Sequence, residues 1–107
     1  MTVTYKVLGQ SAPAATTPTD LYTPSGVAAV GSTLAICNRG VTTTFRVSVR
    51  PAGAVQDNKH YIIYDQVINQ QDSIFLTLGI TLATTDVVTI YAGTANLSFT
   101  LFGSENS

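Results

Sequence analysis

Few residues in this 107-residue chain could do catalytic chemistry: it has one cysteine, Cys37, one histidine, His60, and no tryptophan. A pairing of Cys37 with His60 would supply the available nucleophile and base, and such a thiolate needs an accessible, electropositive setting. Cys37 instead ends the apolar run TLAIC at residues 33–37, which predicts a small, buried and unreactive side chain. We therefore expect no catalytic residue and no enzymatic activity.

The sequence also has too few ligand residues for a metal or cofactor site. A zinc site takes about three or four Cys, His or carboxylate ligands, more than a single Cys and a single His provide. No glycine-rich phosphate loop of the Gly-x-Gly-x-x-Gly or Lys-Ser/Thr type occurs. The aspartates fall at predicted turns without the spacing of a calcium loop: Asp20, Asp57, Asp65, Asp72 and Asp86. We expect neither a metal nor a cofactor.

Composition and charge narrow the class of partner. Only 10% of the residues are charged and the net charge is −1, so the chain lacks the clustered Lys and Arg that bind nucleic acid. No apolar run approaches the roughly 20 residues that span a bilayer, and residues 1–10 do not read as a secretory signal. The 45% share of hydrophobic residues predicts one compact domain over 1–107. We expect this domain to be made in a reducing cytoplasm and to have neither a nucleic-acid nor a membrane partner.

Short strands account for most of the apolar pattern. Phe45, Val47 and Val49 alternate with polar residues over 44–50, which places them on one face of a strand. Two further segments have the same period, with inward positions at Ile74, Leu76 and Leu78, and at Leu97, Phe99 and Leu101. Segments near 2–8, 61–64 and 87–91 are rich in β-branched and aromatic residues. The pattern predicts an all-β chain, an antiparallel β-sandwich of jelly-roll type with seven to nine short strands.

Three connecting segments carry separate expectations. Residues 10–19 include Pro13 and Pro18 and no large apolar side chain, and proline has no amide proton for a central strand. This segment predicts either a surface loop or an extended arm that contacts a neighbouring subunit through its prolines. Residues 92–94 predict a hairpin turn between the last two strands, and residues 103–107 predict a short solvated tail.

Four further side chains are candidate contact residues. Arg46 and Arg50 share the polar face of the strand over 44–50, which is either a solvated face or a subunit contact, because Arg is enriched at interfaces. Tyr61 and Tyr64 would point to opposite faces of an extended strand, so that one of them lies near the surface. A surface rich in Thr and Ser and poor in charge is typical of a permanently associated protein, so we expect a homo-oligomer.

Six segments of predicted turns and strands form a recognisable set: DLYTPSG (20–26), STLAICNRG (32–40), TFRVSVRPAG (44–53), NKHY (58–61), DVVTIYA (86–92) and LSFTLFG (97–103). With these segments the chain resembles small virion-associated proteins of tailed bacteriophages, notably phages of cyanobacteria and other aquatic bacteria. The resemblance extends from residue 1 to about residue 105.

The resemblance implies a β-sandwich structural protein located in the virion. Its expected role is a capsid decoration, or cement, protein that forms a trimer and clamps neighbouring major capsid subunits of the assembled head. One alternative is a component of the tail, baseplate or fibre. Another is a carbohydrate-binding module, in which Tyr61, Tyr64 or Tyr91 would act together with Asp57 or Asp65.

Overall fold

The computed structural model describes residues 2–106, which form eight β-strands and two short 3₁₀ turns. The strands are β1 (Val3–Ser11), β2 (Thr19–Tyr22), β3 (Ala28–Asn38), β4 (Thr43–Arg50), β5 (Tyr61–Ile68), β6 (Ser73–Leu82), β7 (Val87–Ala92) and β8 (Leu97–Asn106). The 3₁₀ turns, Pro51–Gly53 and Asn58–His60, both lie between β4 and β5. Within residues 2–106 no helix is long and apolar enough to cross a membrane.

The strands form two four-stranded antiparallel sheets, here called sheet A (β1-β8-β3-β6) and sheet B (β2-β7-β4-β5). Strand β4 pairs with β5, β3 with β6, β2 with β7 and β1 with β8, as in one long hairpin. Successive pairs of this hairpin alternate between the two sheets, which is the topology of an eight-stranded jelly roll. The predicted antiparallel sandwich of seven to nine strands is therefore confirmed.

The core lies between the inner faces of the two sheets. Leu34 and Ile36 from β3 and Phe99 from β8 line it on one side, and Phe45 and Val47 from β4 line it on the other. The rings of Phe45 and Phe99 meet edge to face, with centroids 6.1 Å apart. Phe45, Val47 and Phe99 occupy the inward positions that the period of two predicts, because alternate side chains of a strand point to the same face.

The predicted hairpin between the last two strands is wrong. Strand β7 lies in sheet B beside β4 and β2, whereas β8 lies in sheet A between β1 and β3. The predicted turn at residues 92–94 is instead the end of β7 and the start of a connection, residues 93–96, that crosses from one sheet to the other. Both strands bury apolar side chains in the same core from opposite sides, as Ile90 and Phe99 do, and a short polar connection fits either arrangement.

The predicted tail at residues 103–107 is also wrong, apart from Ser107, which lies outside the described residues. Strand β8 continues to Asn106 and pairs with both β1 and β3 along this stretch. A central strand satisfies its backbone groups on both sides, so polar composition does not end it. Gly103 permits the pairing, because a Cβ at this position would lie 2.0 Å from the Val30 carbonyl oxygen.

Residues 10–19 include the end of β1 and the first residue of β2, with a loop between them. Pro13 is buried, and the backbone N–H of Thr16 donates to the Ala92 carbonyl at 2.8 Å. The loop thus packs against its own domain, as the surface-loop interpretation predicts, and Pro13 is not available to a neighbouring subunit. Pro18 is exposed. A projecting arm is not formed, because the loop finds a backbone partner on β7.

Candidate functional site

The outer face of sheet A is the first candidate site, here called the uncharged face. Inward positions of β3 and β8 are occupied by core residues such as Leu34 and Leu101, so the residues between them point outward. Strand register aligns the outward residues in rows: Gln10–Thr100–Ala35–Phe75, Val7–Phe102–Thr33–Thr77, Tyr5–Ser104–Val30–Thr81 and Ser98–Cys37–Ser73. These four rows define the uncharged face.

None of these rows contains Asp, Glu, Lys or Arg. Tyr5 is 84% exposed and Phe75 is 69% exposed, and they stand at opposite edges of the sheet, on β1 and β6. Val7 and Phe102 add exposed apolar surface between them. Arg39 borders the face at one end, where its Nε donates to the Ser98 hydroxyl at 3.0 Å. Neutral polar residues (Thr, Ser and Gln) fill eight of the fifteen positions, and apolar or aromatic residues and Cys37 fill the rest. Lack of charge together with exposed aromatic residues is typical of an interface core.

Register shifts bend sheet A across the uncharged face. One lies between Val7 and Gly9 in β1, and another lies between Gly31 and Thr33 in the pairings of β3 with both neighbours. Such bulges increase local twist and leave one residue unpaired in the longer strand. The shifts occur in neighbouring rows of the uncharged face.

The outer face of sheet B is the second candidate site, and its charges are paired within the face. Arg46 donates through Nε to Asp65 Oδ1 at 2.6 Å and through Nη2 to Asp65 Oδ2 at 3.4 Å. Its guanidinium carbon lies 4.3 Å from the ring centroid of Tyr64 and 4.4 Å from that of Tyr91. The hydrogen bond to Asp65 raises the pKa of Arg46 above its ordinary value, so the group stays cationic.

Arg50 occupies the other end of the same face. Its Nη2 donates to Asp20 Oδ1 at 2.9 Å, its Nε to Thr89 Oγ1 at 3.0 Å and its Nη1 to the Ala54 carbonyl at 2.9 Å. Arg46 and Arg50 therefore share one strand face, as the sequence predicts, and both are engaged by this chain's own acceptors.

Tyr61 and Tyr64 lie on the same face, which corrects the expectation that they point to opposite faces. Their ring centroids are 4.8 Å apart with an interplanar angle of 80°. Two register shifts in the pairing of β4 with β5 each add a residue to β5, opposite Phe45–Val47 and Val47–Ser48. Asp65 takes a left-handed conformation at φ 52° beside one of them. An extra residue reverses the alternation of side chains.

An open pocket of about 320 Å³ lies beside this ring pair and is lined by Asn58, Tyr61 and Tyr64. Asn58 belongs to the 3₁₀ turn before β5, where its N–H donates to Asp57 Oδ1 at 2.7 Å. His60 is buried in the same turn, and its Nδ1 accepts from the Asp57 N–H at 3.1 Å. Within residues 2–106, no hydrogen bond engages the Asn58 side chain or the hydroxyls of Tyr61 and Tyr64.

Cys37 and His60 are not brought together. Cys37 is exposed on the uncharged face of sheet A, whereas His60 is buried beside sheet B. The expectation that Cys37 is buried is wrong, because Leu34, Ile36 and Asn38 take the inward positions of β3. Asn38 fills the last of these by donating through Nδ2 to the carbonyls of Val41, Ile68 and Asn69. No group of three or more possible metal ligands occurs among residues 2–106.

Two carboxylates away from both candidate sites fix loops and strand ends. Asp86 accepts from the backbone N–H groups of Ala52 and Ala83, both at 2.9 Å, which lowers its pKa. Glu105 accepts from the Tyr22 hydroxyl and from Lys6 Nζ, which lowers the pKa of Glu105. Burial, and then the hydrogen bond to Glu105, raise the pKa of Tyr22 above its usual range. These groups hold the fold and line no pocket.

Tyr5, Phe75 and Phe102 are the exposed residues that sequence reasoning missed. A signal for Phe75 was present: if Ile74, Leu76 and Leu78 face inward, the residues between them face outward. An aromatic residue at such an outward position of a predicted strand indicates a contact surface. Tyr5 follows less directly, because both faces of β1 are exposed over Val3–Val7.

Comparison of the chain with known protein families, with curated proteins and with solved structures finds no match.

Proposed function

We propose that this chain is a virion structural protein that acts as a capsid decoration protein of a tailed phage. The observation that carries the proposal is the uncharged face, on which Tyr5 and Phe75 are 84% and 69% exposed in rows that contain no charged residue. Eight-stranded jelly rolls recur in viral capsids, in lectins and in cupins, so the fold is compatible with this role without selecting it. The choice of a phage particle rests on the sequence resemblance.

The uncharged face is the proposed docking surface on the head. Its aromatic side chains at the two sheet edges and its small residues between them leave room for a partner's side chains across the whole sheet. The partner surface that complements it is apolar or neutral, because an unpaired charge buried against it would be costly. The proposed partner is the major capsid protein, at the junction between neighbouring subunits.

The proposed mechanism is mass action on the assembled lattice. A ligand that binds the assembled shell and not the free subunits lowers the free energy of the assembled state. Many copies repeat the same contact, so a modest affinity per copy stabilises the whole particle. Self-association belongs to the same proposal, with a trimer as the expected order, and no step requires a catalytic group.

The first test is the position of this chain in the particle that encodes it, determined by cryo-electron microscopy. We expect density for the sandwich on the icosahedral shell, with sheet A against capsid subunits and sheet B toward solvent. Density restricted to the tail or baseplate would replace the decoration role with another structural one. Absence from the particle would refute the proposal as a whole.

A second test measures the contact directly. Heads lacking this chain are mixed with the purified protein, and the bound fraction is measured by co-sedimentation. We expect saturable binding and an increase in the temperature at which the heads release their genome. Saturable binding without any change in head stability would contradict a cementing role.

A further inference from the structure

The open pocket beside β5 has a chemistry that head binding does not use. We propose that it binds a neutral saccharide, with Tyr61 and Tyr64 as contact surfaces and the Asn58 carboxamide as the polar contact. The pocket, at about 320 Å³, is at the small end of the range of about 300–1,000 Å³ for small-molecule sites. Its size suits one or two sugar rings of a longer, extended chain.

The lining offers both kinds of contact that a sugar ring makes. A pyranose has apolar C–H surface as well as hydroxyl groups, and tyrosine combines an apolar ring with a polar tip. The hydroxyls of Tyr61 and Tyr64 and the side-chain amide of Asn58 have no hydrogen-bond partner among residues 2–106. The pocket therefore presents donors and acceptors that a ligand can engage without breaking an existing contact.

Ring geometry favours a non-planar ligand. The planes of Tyr61 and Tyr64 meet at 80°, so the rings form a corner and not a parallel slot for a flat aromatic group. A sugar can rest its C–H surface on one ring and direct a hydroxyl group toward the other. The open side of the pocket lets a chain continue in either direction.

Charge favours a neutral ligand. Arg46 stacks on the Tyr64 ring, and Asp65 holds it in a two-point ion pair. The turn that carries Asn58 adds one charge of each sign, on Asp57 and Lys59. The Arg46 guanidinium is therefore compensated within the chain. Its role is to fix the Tyr64 ring, which it contacts at 4.3 Å from the centroid, and not to attract an anion.

The site is built on supported elements. Arg46 braces Tyr64 from β4, and the turn that carries Asn58 is closed by reciprocal hydrogen bonds between Asp57 and His60. A preformed site loses less conformational freedom on binding than a mobile one. The site also lies on sheet B, opposite the uncharged face, so copies docked as proposed above would display it outward and bind a polysaccharide multivalently. Only this last step rests on the proposed function.

The test uses the isolated chain and defined oligosaccharides. Maltotetraose, cellotetraose and mannotetraose are titrated separately while amide chemical shifts are followed, with sialyllactose as the acidic comparator. We expect saturable binding of at least one neutral tetrasaccharide, with a dissociation constant on the order of 1 mM or tighter. The shifts should centre on residues 57–65.

Three variants locate the site. Tyr61→Ala and Tyr64→Ala should each weaken binding about tenfold or more, whereas Tyr5→Ala removes an exposed tyrosine from the opposite sheet and should leave it unchanged. Tyr64→Phe keeps the ring and should weaken binding less than Tyr64→Ala. Amide spectra of the free variants establish that each one is folded.

Several outcomes would overturn the assignment. Saturation with none of the three neutral tetrasaccharides, binding only to sialyllactose, or equal binding by Tyr5→Ala and Tyr64→Ala would each contradict it. Because the assay contains no particle, such a result leaves head docking untouched, and failure of head docking leaves saccharide binding untouched.

Discussion

The outer faces of the two sheets differ in the number and pairing of their charged side chains. Sheet B has two arginines on its outer face, and each is held by an aspartate of the same chain, Arg46 by Asp65 and Arg50 by Asp20. Sheet A presents four rows with no ionised side chain. A face whose charges are compensated internally is complete without a partner, whereas an exposed apolar face gains free energy when it is covered. This difference is the reason why we propose attachment through sheet A and display of sheet B.

The largest expected effect comes from placing a charge on the uncharged face. Phe75→Asp should weaken self-association or head binding at least about 30-fold, because it removes an exposed aromatic contact and buries an unpaired carboxylate. Val67→Asp is the matched control, since Val67 is 56% exposed on β5, the corresponding edge strand of sheet B. Analytical ultracentrifugation and co-sedimentation with heads measure both effects. Equal losses in the two variants would show that the faces do not differ in function.

The Cys37 thiol gives a test that needs no substitution. Cys37 is exposed at one end of the uncharged face, so a maleimide reagent should modify it in the free chain. In the particle the same thiol should react at least about tenfold more slowly, because a covered thiol is protected from the reagent. Mass spectrometry of chains released after timed labelling measures the ratio. Equal rates in the free and particle-bound chain would place the contact elsewhere.

Replacement of Arg46 on sheet B should lower the free energy of unfolding and leave self-association unchanged. Arg46→Met deletes the ion pair with Asp65 and the stacking on Tyr64 and Tyr91, and should lower the free energy of unfolding by about 1–2 kcal/mol. Lys59→Met removes an exposed cation that has no hydrogen bond or ion pair among residues 2–106; it is the control and should change it by about 0.5 kcal/mol or less. Urea denaturation measures both. If Arg46→Met is folded but no longer forms the oligomer, sheet B also contributes to association, which contradicts the roles proposed for the two sheets.

The alternation of side chains along a strand decides which features of the two faces can be predicted from the sequence alone. Periodicity places Phe45, Val47 and Phe99 in the core because alternation is a local property of any extended strand. The same rule failed for Tyr61 and Tyr64, since register shifts in β5 depend on pairing with β4 and leave no local signal. The crossing of residues 93–96 between sheets is likewise decided by distant strands.

Predicting the uncharged face requires both the local alternation of side chains and the pairing of distant strands. Phe75 could be placed outward from its neighbours alone, but its row with Ala35, Thr100 and Gln10 exists only once β6, β3, β8 and β1 are paired. Cys37 shows the opposite case. An apolar run predicts burial, and the structure exposes this residue because the polar Asn38 takes the next inward position with three carbonyl partners.

The smallest expected effect is a pH dependence of the free energy of unfolding, which distinguishes fold stability from association. Asp86 has a folded-state pKa below its unfolded value because it accepts two backbone hydrogen bonds, so its stabilising contribution is present above the unfolded pKa of about 4 and is lost as pH falls through the folded pKa. Asp86→Asn should lower the free energy of unfolding at pH 7 by about 0.5 kcal/mol and flatten its acid dependence, because an amide nitrogen cannot accept the second bond and solvent weakens both exposed bonds. Urea denaturation between about pH 3 and pH 7 measures this.

Association through the uncharged face should not follow the same curve. Its rows contain no carboxylate, histidine, lysine or arginine, so no residue of these types changes charge on the face between about pH 5 and pH 7. The sedimentation profile of the oligomer, or of the chain bound to heads, should therefore be constant across that interval. Dissociation between pH 7 and pH 5 would mean that a titrating group crosses the interface. The contact would then have to include the charged margins of the sandwich, at Lys6 and Glu105, and not the centre of sheet A alone.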